Sequence, residues 1–320
     1  MSVDRPPQRR LVRVLRAWLP WVIGIAILVV IAMKIPLAAF RQAIAHGPFV
    51  LLAVVDLALA IAVLFTDALA TWLGLIAVTM KRRFSHVLTV RGATFLLFLV
   101  NYALWQGGFG YYLHRTGAAP LRAVGATLFL IGTNFAMLLV ASTIAWVLYS
   151  DETGNDAMLW TLVIGCIAFV AYLVVIVLRP RFVARREVLA PLFDAGLRGH
   201  GLALLGRMPH YLVMVVGLWI ALRAWGIAVP FGLGLAIIPM VVIASVIPIS
   251  PAGLGTTQAA MVYFFSPFAT GATADERAAT VLAFSIVQFV FAVLGSIAIG
   301  LVCAAVARRQ GALVTPPTPG

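Results

Sequence analysis

Between residues 230 and 267 the chain stays apolar for longer than a bilayer-crossing helix requires, yet the middle of this stretch reads Pro248-Ile249-Ser250-Pro251-Ala252-Gly253-Leu254-Gly255. Proline removes a backbone donor and clashes with the preceding turn, so no straight helix runs through this segment. An interrupted backbone at membrane depth leaves N–H and C=O groups that lipid cannot satisfy. It is tolerated only where protein or a polar cavity surrounds it. Other spans must therefore wrap the break, and such a discontinuity is a pointer to a binding site. A second glycine-rich element, Gln106-Gly107-Gly108-Phe109-Gly110, lies in the apolar region 88–113.

Composition sets the solvent. The chain is 63% hydrophobic and 10% charged, with a mean hydropathy of +1.08, whereas soluble domains are about half apolar and a quarter charged. The longest charged interruption, from Arg179 to His200, is too short for a soluble catalytic domain, which begins near ~50 residues. A net charge of +13 does not indicate nucleic acid, because the basic residues cluster between apolar runs. Arg5/Arg9/Arg10/Arg13/Arg16, Lys81/Arg82/Arg83, Arg179/Arg181/Arg185/Arg186 and Arg308/Arg309 form the positive-inside pattern. Cys166 and Cys303 lie far apart inside apolar runs, which is neither a disulfide framework nor a zinc spacing. No metal or other cofactor is expected. The apolar stretch from Trp18 to Pro36 is long for a cleaved signal and is read as a retained span.

The expected fold class is all-α: a polytopic integral membrane protein with about six full spans and two re-entrant helical hairpins. The spans fall near 18–36, 49–80, 122–149, 158–178, 205–225 and 279–304, and the hairpins at 88–113 and 230–267. With the N-terminus inside, one hairpin entering from the inner face and the other from the outer, all but four of the 23 basic residues lie inside. Asp151/Glu152/Asp156 and Asp275/Glu276/Arg277 then lie outside. Residues 1–17 form a basic cytoplasmic segment, 18–304 a single transmembrane domain and 305–320 a disordered cytoplasmic tail. The two halves, about 18–150 and 157–304, repeat one order of span, span, hairpin, span in opposite orientation, an arrangement common in transporters. Short echoes accompany it: Gly108-Phe109-Gly110 with Gly253-Leu254-Gly255, Thr116-Gly117-Ala118 with Thr270-Gly271-Ala272, and Asn134-Phe135 with Gln288-Phe289.

The stretch Ile247-Pro248-Ile249-Ser250-Pro251-Ala252-Gly253-Leu254-Gly255-Thr256-Thr257-Gln258 resembles the hallmark of the lysylphosphatidylglycerol synthase transmembrane-region family, the flippase-like membrane proteins. That hallmark is a Pro-Ile-Ser-Pro-Gly-Gly-Leu-Gly run followed by Glu. Asn101 with Gly107-Gly108-Phe109-Gly110 is similar to the family's earlier Asn-x-x-x-Pro-Gly-x-x-Gly-Glu element. The departures fall on charge. The family's two glutamates correspond to Gln258 and Tyr111, its first-element proline to Gln106, and an arginine often found in the final span to Gln288. The resemblance implies the lipid-handling membrane part without the soluble aminoacyl-transferase domain of fused members.

Polar residues within the spans are the site candidates. Asp56 and Asp67 are eleven residues apart in one helix, close to three full turns. Both therefore face one side, about 16 Å apart, and intramembrane acids default to functional roles; a proton or ion relay is the role expected of them. Gln258, Asn101, Gln106, Asn134 and Gln288 are expected to contact a head group, with hydrogen-bonding between helices as the alternative. Ser250, Gly253, Gly255, Gly108 and Gly110 belong to the same expected site, through turns and close backbone approach. Helices starting after each break would offer amide ends to a phosphate. Arg207 and His210 read as interface residues at the inner end of their span.

No metalloprotease, Walker or nucleophile-elbow motif is present in the sequence, which argues against an enzyme. The expected activity is transport of a phospholipid, glycolipid or polyprenoid lipid between leaflets of the bacterial inner membrane, with both termini cytoplasmic. The alternative is a non-catalytic subunit that partners a lipid- or envelope-modifying enzyme.

Overall fold

The computed structural model describes residues 7–149, 156–246 and 250–312. The acidic positions Asp151 and Glu152, the turn residues Pro248 and Ile249, and the tail from Val314 lie outside the described residues, as does Arg5. Helices α1 (Pro7–Met33), α2 (Leu37–Ala45), α3 (Phe49–Ala77), α4 (Phe84–Phe98), α5 (Tyr102–Arg115) and α6 (Pro120–Tyr149) make the first half. Helices α7 (Asp156–Leu178), α8 (Arg181–Ala184), α9 (Ala190–Ala224), α10 (Phe231–Val246), α11 (Thr256–Phe265) and α12 (Ala274–Arg309) make the second.

The molecule is a multi-pass membrane protein. Among the described residues, five helices are long and apolar enough to cross a bilayer, and a sixth span exists if the bent α1/α2 pair counts as one. That bend is 101° and falls at Pro36, which no continuing helix accommodates. Burial is inverted relative to a soluble protein. On α3, Val50, Val54, Leu57, Ile61 and Phe65 form an exposed apolar stripe, while Leu52, Asp56, Leu64 and Asp67 are buried. Helix α7 exposes Ile164, Ile167, Val170, Val174 and Val177. Only a hydrocarbon solvent makes such a surface favourable.

An antiparallel pair, α3 with α9, organises the interior. Glycines set its register: Gly217 admits Leu59, Gly206 admits Leu73, and Gly199 admits the backbone of Ala77. At the other end Phe49 meets Trp225 edge to face, with ring centroids 5.9 Å apart. Helix α9 begins at Ala190 rather than near 205, because the polar run through His200 and Arg207 is helical and packs on α3. A kink at Gly196 (φ 52°, ψ −172°) bends it near its start.

Helices α4 and α10, with 15 and 16 residues, are about 23 Å long at 1.5 Å per residue. Each is too short for a ~30 Å hydrocarbon core, and each packs against a following short helix, α5 or α11. The two feet of each pair are tied together. Arg82, before α4, donates to Thr116 Oγ1 (3.2 Å) and Thr116 O (3.1 Å), after α5. Ala228 N, before α10, donates to Phe268 O (2.8 Å), after α11, beside an isolated bridge between Ile227 and Ala269. The first foot lies where α3 ends and the second where α9 ends, so the pairs stand at opposite ends of the α3/α9 pair.

The glycine element of the first pair is not where that pair turns. Gly107, Gly108 and Gly110 lie inside α5, and the turn is at 99–101. The start of a helix leaves N–H donors without acceptors. Asn101 supplies one, its Oδ1 accepting from Leu104 N at 2.7 Å. Gly108 and Gly110 instead let α5 approach Leu97 and Thr127. The second break does fall in its Pro/Gly run. There Ala252, Gly253 and Gly255 all adopt positive φ (47°, 72° and 86°), and a Cβ on Gly255 would come 2.5 Å from Gly24 O of α1.

Candidate functional site

Asp67 is the centre of a buried ionic cluster. It is 1% exposed, and Arg91 and Arg207 beside it are 1% and 4% exposed. Arg91 Nε donates to Asp67 Oδ2 at 2.7 Å and Arg207 Nη1 donates to Asp67 Oδ1 at 2.9 Å. The fold explains the meeting. The α3/α9 register that opposes Leu73 to Gly206 brings Asp67 opposite Arg207. Helix α4 packs on α3 and delivers Arg91 from the other side.

Helix α5 completes the cluster. Its residues 102, 105, 106 and 109 share one face at helical spacing. Arg91 Nη1 donates to Gln106 Oε1 at 3.2 Å, and its guanidinium lies 4.4 Å from the Trp105 ring centroid and 5.3 Å from that of Phe109. A planar, weakly hydrated cation on an aromatic face is a favourable arrangement away from water. On α9, His210 lies one turn after Arg207, with its Nδ1 3.3 Å from Thr66 Oγ1.

The bonding does not close. Two guanidinium groups face one carboxylate. Arg207 Nε and Trp105 Nε1 are buried without a hydrogen-bond partner, and the Tyr102 hydroxyl is buried beside the Gln106 side chain. Unpaired buried donors are costly, and unpaired buried charge more so. All three residues line a cavity of ≈230 Å³, far above the ~15 Å³ that one water needs. Much of the remaining wall is apolar, including Leu59, Val63, Phe95, Phe98, Met214 and Val242, with Asp56, Asn134, Ser245, Gln288 and Ser296 among it. The cavity is therefore amphipathic, with a cationic, donor-rich end and a hydrocarbon side.

Asp56, Asp67, Gln106, Asn134 and Gln288 all line this cavity. Asp56 is buried and Gln288 hydrogen-bonds its carboxyl, leaving Oδ2 without a partner. Asp67 has neither oxygen free, a poor arrangement for passing protons. Gln258 and Gln288 line a smaller adjoining cavity of ≈180 Å³ that shares Phe98, Val242, Ser245 and Gln288 with the first.

The remaining expected contacts are turned to structural use. Asn101 and Gln258 each use the side-chain oxygen as a cap: Gln258 Oε1 accepts from Gly255 N at 2.6 Å, as Asn101 Oδ1 does from Leu104 N, while Gln258 also lines the smaller cavity. The chain's own amides thus fill the helix starts that were expected to hold a phosphate. Gly253 and Gly255 pack against Ser245 and α1. Ser250 is buried beside Gly24 with its hydroxyl unpartnered. None of Ser250, Gly253, Gly255, Gly108 and Gly110 lines either cavity.

Arg207 and His210 are not interface residues. Helix α9 extends through them, and they sit in its middle against Asp67. Arg91 escaped the sequence reading altogether, although it interrupts the apolar region 88–113. The signal was available, since any ionisable residue inside such a stretch is a candidate.

A third cavity, ≈370 Å³ between α6, α7 and α9, has no Asp, Glu, Lys or Arg in its lining. Charge distinguishes the central site from it. No protein-family model matches the chain, no curated protein is significantly similar, and no solved structure matches. The likeness to the flippase-like family rests on the short motifs alone.

Proposed function

We propose that the protein is a carrier of amphipathic lipids between the leaflets of a bilayer, working through the cavity between its two short-helix pairs. The observation that carries this reading is the cavity itself: a buried cluster with excess positive charge, opening onto an apolar wall, in the middle of a membrane protein. A head group fits the first surface and an acyl chain the second. The reading assigns binding rather than chemistry to the site, because guanidinium groups do not exchange protons and Asp67 is held on both oxygens. Asp56, with one free oxygen on the same cavity, takes the ion- or proton-coupling role in preference to Asp67.

The short pairs are read as re-entrant hairpins dipping from opposite faces, and the two halves as an inverted repeat. Their tied feet at opposite ends of the α3/α9 pair support the first statement. The packing supports the second. Exchanging α3 with α9, α4 with α10, α5 with α11 and α6 with α12 turns the contacts α4–α12, α5–α6, α3–α4 and α3–α12 into α10–α6, α11–α12, α9–α10 and α9–α6, all of which are present. Loop charge supports cytoplasmic termini in a bacterial inner membrane. The motif resemblance of residues 247–258 favours the same lipid-handling activity.

The test is leaflet exchange of fluorescent phospholipids by the pure protein in sealed vesicles. Exchange above protein-free vesicles, lost in Arg207→Gln with folding intact, is the expected result. No exchange across phospholipids, glycolipids and polyprenoid lipids would overturn transport and leave the role of a partner subunit for a lipid-modifying enzyme.

A further inference from the structure

We propose that Arg207, on the cavity wall, binds one phosphate-type anion, with Asp67 as an internal counter-ion that the incoming group must share and Arg91 as the second cation holding Asp67. The site rests on its own geometry, and only the lipid source of the anion rests on the carrier reading.

Charge and donor counts converge. Two guanidinium groups and one carboxylate leave one positive charge in excess. The two buried groups left unpartnered, Arg207 Nε and Trp105 Nε1, can only donate. Among the neighbouring acceptors, both Asp67 oxygens already accept from the arginines and Gln106 Oε1 accepts from Arg91. A ligand rich in acceptors and carrying one negative charge answers both deficits. A phosphodiester has that chemistry. A sugar hydroxyl brings donors of its own and leaves the charge. Asp56 lies about 16 Å along α3, too far to take the place of a ligand at Arg207.

Sharing Asp67 gives the proposal a sign that a merely structural cluster would not produce. An arginine held by an internal carboxylate binds an outside anion less tightly than one released from it. Removing Arg207 weakens the anion, while removing the Asp67 charge strengthens it.

The experiment uses the full-length protein in a neutral detergent. Dioleoyl phosphatidylglycerol, dioleoylglycerol with the same chains and no phosphate, and aqueous inorganic phosphate are titrated separately. Half-saturation is read from the shift in thermal unfolding midpoint. Phosphatidylglycerol is expected to raise the midpoint, with dioleoylglycerol at least tenfold weaker. Arg207→Gln is expected to weaken phosphatidylglycerol at least tenfold, and Asp67→Asn to tighten it several-fold.

Equal affinity for phosphatidylglycerol and dioleoylglycerol, in protein that still exchanges lipid, overturns the anion site and spares the carrier reading. Inorganic phosphate saturating as tightly as phosphatidylglycerol keeps the site, but assigns the anion to solution and removes its support for a lipid. If Arg207→Gln does not fold, Asp67→Asn decides. Weaker or unchanged phosphatidylglycerol binding in that variant overturns the proposal.

Discussion

The two short-helix pairs occupy matching places in the packing and are built from opposite materials. The α4–α5 pair turns at 99–101 and brings Arg91, Trp105 and Gln106 to the centre of the molecule. The α10–α11 pair turns through a strained Pro/Gly run and has no charged residue in either helix. The first is anchored by an ionic cluster and aromatic faces, the second by backbone close approach to α1. One scaffold thus places buried charge in one pair and a strained backbone in the other, and their shared cavity acquires its two characters from that division.

The comparison breaks most severely at Arg91. Arg91→Gln leaves Asp67 with one cation and removes the contact with Gln106 and the Trp105 face. Asp67 keeps Arg207 as its partner, so the loss is that of a hydrogen bond to a charged group, about 1.5–3 kcal/mol. A fall in the unfolding midpoint in detergent is expected. A change within error would mean that the cluster does not anchor the first pair.

In the second pair the matching lesion is steric. Gly255→Ala forces a side chain into a positive-φ position and against Gly24 O, at a cost of about 1–3 kcal/mol. Protease accessibility of the α1–α11 contact should rise with it. Unchanged stability and protection would contradict the close approach.

The smallest effects are gains, one in each pair. Ala252 holds a left-handed conformation (φ 47°, ψ 26°) that costs an ordinary residue about 1–2 kcal/mol, so Ala252→Gly should stabilise by up to about 1 kcal/mol. Gly107 lies within a helix, and an added methyl group there would meet nothing within 4 Å, so Gly107→Ala should stabilise by about 0.5–1 kcal/mol. Denaturant unfolding of both variants measures this. Destabilisation by either would show that its local backbone is set by something other than these conformations.

The membrane class, the helical fold and the presence of two interrupted segments were legible in the sequence because hydrophobic length is a local property. The face shared by Asp56 and Asp67 was legible too, since helical spacing alone brings them to one side. The first turn was misplaced for an equally local reason. A glycine signals that a helix can break or that a neighbour comes close, and the two look alike until the neighbour is known. Gly108 and Gly110 meet Leu97 and Thr127, so the helix continues through them. Arg207 was assigned to the interface because a charged, His-containing run resembles a loop until α3 provides the surface that keeps it helical.

What the sequence alone determined is the solvent this chain needs and the places where its helices must be protected from that solvent. Both follow from hydropathy and backbone hydrogen bonding, which act residue by residue. Only the tertiary structure decided which charges are counter-ions and which donors remain unpaired. Arg91 and Arg207 lie 24 and 140 residues from Asp67, and their pairing with it depends on how α3, α4 and α9 cross. Electrostatic energy depends on distance and burial, and neither exists until the helices are packed.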